Sequence, residues 1–534
     1  MNDALPDTIP SVLERAAARF TNVEALVGGD VRLTFAQLRD AAGGAARGLV
    51  AAGIEPGDRV AIWAPNSSRW VVAALGVYRA GAVIVPLNTR FKGSEATYIA
   101  RKAGAKLLFT VTDFLDTNYV ELFATGEPVP SMQSIVVLRG SASDGTRSWS
   151  DFIAAGTAVP LADVETRELA LTGDSVSDIL FTSGTTGFPK GAILTHGASV
   201  AAYDAWTSVI GLREGDRYLI VNPFFHSFGL KAGILACLIT GATMVPHAVF
   251  DVDTVMQRVV EERISMLPGA PTIYQSILDH PQVREFDMST LRLAVTGAAS
   301  VPVELIHRMR AELSFETIVT GYGLTEATGI ATMCRHDDDP ETIAQTDGRP
   351  IPGVEIRLVT PVGDEAALGE PGEVLVKGFN LMKGYLDDPE STAEAIDEHG
   401  WLHTGDVGVL DAGGNLTITD RIKDMFIVGG FNAYPAEIEE IMAGHDLVDQ
   451  VAVVGVPHER LGEVGMAFVV GDPQRLDPNA LLAWCRENMA NYKVPRYVEI
   501  VDALPLNAVG KVVKYQLRER AEKSIADRSA GTPG

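Results

Sequence analysis

Residues 182–191 read Thr-Ser-Gly-Thr-Thr-Gly-Phe-Pro-Lys-Gly, a run of small, hydroxylated and basic residues suited to holding phosphate. Gly184, Gly187 and Gly191 let the backbone come close to a ligand. Backbone N–H groups, the hydroxyls of Thr182, Ser183, Thr185 and Thr186 and the ammonium of Lys190 together supply donors for a polyphosphate. A Walker A loop needs Gly-Lys-Ser/Thr leading into a helix, whereas Lys190 stands between Pro189 and Gly191. Taken alone, the run also reads as a surface hairpin rich in turn residues.

Five further clusters could do chemistry. Gly297-Ala298-Ala299-Ser300 offers small residues against which a flat ring could lie, or simply a tight turn in a packed core. In Gly321-Tyr322-Gly323-Leu324-Thr325-Glu326 the Tyr could stack on a base, the Thr could bond a phosphate, and the Glu is a hard oxygen ligand for Mg²⁺. Glu326 occupies the place of the third glycine of a dinucleotide fingerprint, so it is not that motif; its ordinary reading is an acid near a helix start. Trp401-Leu402-His403-Thr404-Gly405-Asp406 supplies a carboxylate, which can accept bonds from both hydroxyls of a ribose. Arg421, Lys423, Gly429 and Gly430 follow; an arginine can bond the same sugar or a phosphate, but also forms surface ion pairs. Asn507-Ala508-Val509-Gly510-Lys511 sets a lysine at the tip of a tight turn, where most lysines are solvated surface charges.

Alternating helix-like and strand-like segments must position these groups. Asp178–Phe181 and Ala192–Leu194 read as buried strands flanking the loop. A helix over Ala42–Ala52 precedes a strand over Arg59–Trp63, and a helix over Trp70–Ala80 precedes a strand over Ala82–Pro86. The alternation returns at Ala236–Thr240 with Thr243–Val245, and at Met256–Arg263 with Ser265–Leu267. Strands Leu291–Val295 and Thr317–Thr320 lead into two of the clusters. This is the pattern of an α/β chain with largely parallel sheets. Val354–Thr419 reads as a β-rich subdomain. A boundary is expected near Asp420–Asp424, followed by a compact α+β unit and an irregular tail of about ten residues.

The chain has 534 residues, room for several domains, with 46% hydrophobic and 21% charged residues. A formal net charge of −25 argues against a nucleic-acid binder, and means that an anionic substrate must be held by local cations. Cys237, Cys334 and Cys485 lie far apart, with no Cys-x-x-Cys and no His-Glu-x-x-His, so neither a disulfide framework nor a zinc site is expected. A cytoplasmic protein without a signal peptide, stable membrane insertion or a C-terminal sorting signal is expected.

In order and content the clusters resemble the AMP-forming acyl-CoA synthetases of the adenylate-forming superfamily. The resemblance runs from about residue 10 to about residue 520 and includes Gly53-Ile54-Glu55-Pro56-Gly57-Asp58-Arg59-Val60 and Ala64-Pro65-Asn66. It implies a large N-terminal domain (1–422) of two mixed or parallel sheets with flanking helices and the β-rich subdomain, binding ATP and the acyl group. A small mobile α+β domain (423–534) would carry the catalytic lysine. It implies that the 182–191 loop binds ATP phosphates, that Tyr322 and Gly297–Ala299 flank adenine, that Thr325 contacts the α-phosphate and that Glu326 holds Mg²⁺. Asp406 and Arg421 would bind the ribose, Lys423 would be a hinge, and Lys511 would bridge the incoming carboxylate and the α-phosphate. Rotation about the hinge would then exchange Lys511 for the Gly430 face, where a side chain would crowd a pantetheine channel. Ile427 and Leu506 depart from the lysine and arginine that many relatives carry there, which touches only the CoA contacts.

Asn222-Pro223-Phe224-Phe225-His226-Ser227-Phe228-Gly229-Leu230-Lys231 resembles the family's pocket-entrance motif, with His226 as a gate between acyl site and thiol channel. With Ala270-Pro271-Thr272-Ile273-Tyr274 it looks most like actinobacterial ligases for the propionate side chain of a steroid ring remnant. The expected activity is thus an acid–thiol ligase of lipid and steroid catabolism using ATP, Mg²⁺ and coenzyme A, monomeric or homodimeric. Benzoate-type, cinnamate-type and medium-chain acids stay open. So do delivery of the acyl group to a carrier protein, a luciferase-like oxygenase and a silent nucleotide-binding scaffold. A carrier domain after residue 520 is not expected, and free CoA is the expected acceptor. Lys231, in an apolar stretch, either reaches the surface or pairs with an acid, or else meets a polar group of the substrate acid or a CoA phosphate.

Overall fold

The computed structural model describes residues 5–29, 31–182, 189–297, 301–360, 363–421, 426–433, 435–473, 475–505, 512 and 514–530. Two compact units emerge. Met1–Thr89, Ala96–Phe181 and Gly191–Thr419 make the first; Arg90–Glu95, Thr182–Lys190 and Asp420–Gly534 make the second.

Short apolar runs become a seven-stranded sheet in the spatial order Arg147–Ser148, Ser134–Arg139, Leu107–Val111, Arg59–Trp63, Val83–Pro86, Val176–Thr182, Lys190–Thr195. Neighbours from Arg147–Ser148 through Val176–Thr182 pair in parallel. Val83–Pro86 and Leu107–Val111 are buried at every residue, as expected of parallel strands covered on both faces. The helix Phe35–Ala51 starts on a capping box: Thr34 Oγ1 accepts from Gln37 N at 3.3 Å and Gln37 Oε1 accepts from Thr34 N at 2.9 Å.

A second sheet orders Arg217–Ile220, Thr243–Pro246, Glu24–Gly28 and Val31–Thr34, parallel except for the last pair. The strand expected over Ser265–Leu267 shrinks to one residue. Met266 bridges Tyr218 on one side and Leu293 on the other, linking this sheet to the parallel pair Leu293–Val295 and Thr317–Val319. The β-rich part is a four-stranded sheet of Val354–Val359, Gly372–Gly378, Leu402–Leu410 and Leu416–Arg421. These layers are the mixed α/β architecture read from the sequence.

In the second unit, Gln450–His458 pairs antiparallel with Gly462–Val470 and Tyr497–Ile500 joins the latter in parallel. Helices Pro435–Ala443 and Pro478–Asn488 contribute Ile438, Met442, Leu481 and Cys485 to its core beside Val453, Val454, Met466 and Phe468. The tail expected to be irregular is helical from Lys514 as far as Ala530. Cys237, Cys334 and Cys485 are all free and fully buried.

Candidate active site

Val176–Thr182 is a strand with Asp178, Ile179 and Leu180 buried, and it ends on Thr182; Lys190 opens the next strand, Lys190–Thr195. Ser183, Gly184, Thr185, Thr186 and Gly187, together with Ala298, Ala299, Lys423, Leu506 and Lys511, lie outside the described residues. Arg421 is the last residue of its strand.

The remaining expected groups of the first unit converge. Gly297 follows the strand Leu293–Val295, and a Cβ on it would lie 3.4 Å from the Gly321 carbonyl. Gly321 and Tyr322 form a short strand. Tyr322 is buried, and its hydroxyl donates to Asp406 Oδ2 at 2.6 Å. Asp406 is itself buried in Leu402–Leu410, and its own N–H donates to Thr404 Oγ1 at 3.1 Å. An aromatic ring and the carboxylate expected at the ribose are thus joined by one hydrogen bond across 84 residues. Asp347 is a second carboxylate beside them. Burial pushes its carboxyl up and the charge of Asp406 adds to this, against one N–H from Ile418 at 3.0 Å.

Thr325–Ala327 is a 3-10 turn closed by Thr328 in the left-handed region, φ 57°. A Cβ on Gly323 would meet the Gly329 carbonyl at 2.3 Å, so that position admits no side chain. Glu326 Oε1 accepts from the Tyr385 hydroxyl at 2.9 Å, and its carbonyl accepts from Met382 N at 2.8 Å. The buried Asn380 donates to the carbonyls of Ile330 at 2.7 Å and Ala327 at 3.3 Å, while Thr328 Oγ1 donates to the Asn380 carbonyl at 2.6 Å. Residues 380–385 therefore brace the Glu326 turn. The same segment pairs with the strand that follows Lys190, through Lys383 N to Ile193 O at 2.8 Å and Ile193 N to Gly384 O at 2.9 Å.

His226 lies in the same neighbourhood: Gly329 packs so closely on Ser227 that a Cβ would come 2.8 Å from the Ser227 Cβ. The exposed His226 accepts at Nδ1 from Phe228 N at 3.2 Å. Its neighbours Phe228–Leu235 form a π-helix. Within it Lys231 is fully buried and paired with Asp178, so of the readings offered for it the acid partner is found and the surface is excluded. In the second unit, Gly430 sits in the hairpin between Phe426–Val428 and Phe431–Ala433 at φ 86°, with nothing within 4 Å of a Cβ. Inside its own unit the glycine is required by the left-handed backbone and not by crowding. Ile427 donates its N–H to Glu463 Oε2 at 2.9 Å.

The AMP-binding enzyme pattern matches residues 13–386, and that of the AMP-binding enzyme C-terminal domain matches 437–511. The chain belongs to the AMP-binding enzyme family. It is an AMP-forming acyl-CoA synthetase, an acid–thiol ligase that draws on ATP, Mg²⁺ and coenzyme A. It is 51% identical over 513 residues to a Mycobacterium tuberculosis ligase of CoA with a propanoyl group on a 7a-methyl-1,5-dioxo-octahydroindene; the match covers 96% of this chain and 98% of the relative. A Rhodococcus jostii ligase of the same name is 50% identical over 519 residues, covering 96% and 99%. Among solved structures, the amide bond synthetase McbA of Marinactinospora thermotolerans superposes with a TM-score of 0.82 at 29% identity, covering 95% of this chain and 99% of its own.

Glu326 suits this synthetase's metal. Mg²⁺ takes one or two carboxylates from a protein and fills its remaining sites with water and substrate phosphate. One carboxylate steadied by a tyrosine hydroxyl matches that habit. Among the described residues no group of three or more His, Cys, Asp or Glu side chains could hold an ion unaided. Tyr385, Asn380 and Asp347 escaped the sequence analysis. Gly384-Tyr385 followed by Asp387-Asp388-Pro389 reads only as a turn, and nothing local marks a partner 59 residues away.

Proposed function

We propose that the enzyme forms the CoA thioester of a bicyclic keto-acid, the propanoate side chain of a steroid ring remnant, in the cytoplasm. Half identity over nearly the whole length to two ligases named for that acid carries the reading. Among the described residues no helix is long and apolar enough to cross a membrane.

We assign ATP and acyl binding to 1–422, and the catalytic lysine to 423–534. The acid arrives already ionised, so its attack on the α-phosphorus needs no general base. It needs positive charge placed where negative charge builds up. Lys511 bridges carboxylate and α-phosphate, and the donors of Thr182, Ser183, Thr185, Thr186 and Lys190 hold the departing pyrophosphate. Glu326 would hold Mg²⁺, which when bound adds Lewis-acid charge at the phosphates. Thr325 contacts the α-phosphate; Tyr322 and Gly297–Ala299 flank the adenine. Asp406, oriented by Tyr322, accepts from the ribose hydroxyls, and Arg421 is assigned to the same sugar. The acyl adenylate is then attacked by the CoA thiol and AMP departs. For this second step Lys423 acts as the hinge, and rotation about it exchanges Lys511 for the Gly430 face.

The test is an acid panel with ATP and Mg²⁺, with and without CoA, read by mass spectrometry. The bicyclic propanoate should give a CoA thioester with a higher kcat/KM than benzoate, cinnamate or medium-chain acids. AMP and pyrophosphate without a thioester would point instead to delivery to a carrier protein.

A further inference from the structure

The π-helix Phe228–Leu235 poses a physical problem. Wide turns of this kind are uncommon and concentrate at functional sites. Its Ala236 N–H bonds to the Lys231 carbonyl, five residues back, and Leu230 N donates to the His226 carbonyl at 2.9 Å. Gly229, Leu230, Ala232, Gly233, Ile234 and Leu235 are all buried. A helix apolar on every side has no stripe that selects one rotational setting over its neighbours. The single charged group in the segment is Lys231.

Lys231 is 0% exposed, as is Asp178. Asp178 also accepts from the hydroxyls of Tyr78 and Ser177, so the carboxylate is fixed from three directions. The Lys231 ammonium lies 5.7 Å from the centre of the Tyr78 ring, which itself meets His196 edge-on at 5.6 Å. Asp178 pairs with Ile84 in the seven-stranded sheet, among its most buried strands. An ion pair this deep contributes little net stability, because desolvation offsets the attraction; its best-attested use is to select one register. Burial pushes the Lys231 ammonium down while Asp178 works in the opposite direction.

We propose that Lys231 is a positioning residue: its bond to Asp178 fixes the rotational setting of the π-helix against the central sheet, and through the Leu230–His226 hydrogen bond it places His226 for acid binding. The inference rests on the reading of His226 as the gate of the acid site. Lys231 then acts without touching the acid.

The full-length enzyme and its Lys231→Met, Asp178→Asn and doubly substituted forms are compared by ATP–pyrophosphate exchange, CoA-thioester formation and thermal melting. Wild type is first run on the acid panel. Failure on the bicyclic acid defeats the substrate reading alone, and the variants are then measured with the best acid found. Each single variant should raise the KM for the acid about tenfold, as a small misplacement does, with the KM values for ATP and CoA unchanged. The double variant should be no worse than the worse single one, and its melting temperature should return toward wild type because no buried charge is left unpaired. It also carries the test if a single variant does not fold. Recovery of the acid KM together with the melting temperature would overturn the proposal, leaving only charge balance. A rise in Lys231→Met but not in Asp178→Asn would overturn it in favour of an ammonium that reads the acid directly. A change confined to the KM for CoA, or no change in folded variants, would also overturn it.

Discussion

Tyr322 shows what one residue can reveal at each level of description. In the sequence it is an aromatic in a glycine-rich run; in the fold its hydroxyl is the donor that orients Asp406. Tyr322→Phe keeps the ring and removes that donor. The KM for ATP in pyrophosphate exchange should rise roughly tenfold, the worth of about one hydrogen bond to a charged group. A rise in the KM for the acid instead would separate Asp406 from ribose binding. Lys511→Ala should nearly abolish acyl-adenylate formation, by about 2.7–4 kcal/mol in the barrier, as loss of an aimed donor does elsewhere. Thioester formation from preformed acyl adenylate should be spared. Equal losses in both half-reactions would show that Lys511 serves no single step. Two of the clusters stand out in the sequence because each follows an apolar strand, Gly297 after Leu293–Val295 and Gly321-Tyr322 after Thr317–Val319. The pairings were not legible there, since Tyr322 with Asp406, Glu326 with Tyr385 and Lys231 with Asp178 are separated by 84, 59 and 53 residues.

Elements follow the same logic. Arg59–Trp63 and Ala236–Thr240 coincide with the expected segments because a continuous apolar run between turn residues has few alternatives. Ser265–Leu267 was overcalled, since a run of that length needs only one residue to bridge its neighbours. The π-helix was invisible: in a segment apolar all round, neither a 3.6-residue nor a wider period leaves a mark. His196 illustrates packing between elements. At the start of the helix His196–Ile210, its Nδ1 accepts from Ile9 N at 3.3 Å in the helix Ile9–Arg19, and burial pushes its pKa down to about 4. Unfolding lets it take a proton at its ordinary value of 6.5, so its contribution is fully present above that value and is lost as the pH falls toward about 4. Melting temperature should decline across that window, and His196→Gln should flatten the decline. An unchanged slope would place the acid sensitivity elsewhere.

At the scale of the molecule, the two-step chemistry asks one chain to serve two reactions, and Lys423 is the residue proposed as the hinge between them. Proline fixes φ and so removes the rotation a hinge needs. Lys423→Pro should retain adenylation while thioester formation from acyl adenylate falls to background in a stopped-flow or quenched assay. Turnover near that of wild type would move the pivot to another residue. The change from alternating α/β to a compact α+β unit is expected near Asp420–Asp424 because charged residues cluster there, whereas nothing in the sequence of Arg90–Glu95 or Thr182–Lys190 marks them as clustering with the second unit.

The three buried cysteines have a practical consequence. Burial pushes all three thiols up, Cys485 to about 11, so none is a ready thiolate near neutral pH. A ligase whose co-substrate is itself a thiol is thereby shielded from forming mixed disulfides with oxidised CoA. A chromogenic disulfide reagent should accordingly detect no protein thiol in the native enzyme and three after denaturation. The same reagent can then follow CoA consumption continuously, and one cysteine introduced on the surface would carry a spectroscopic label without removal of the native three.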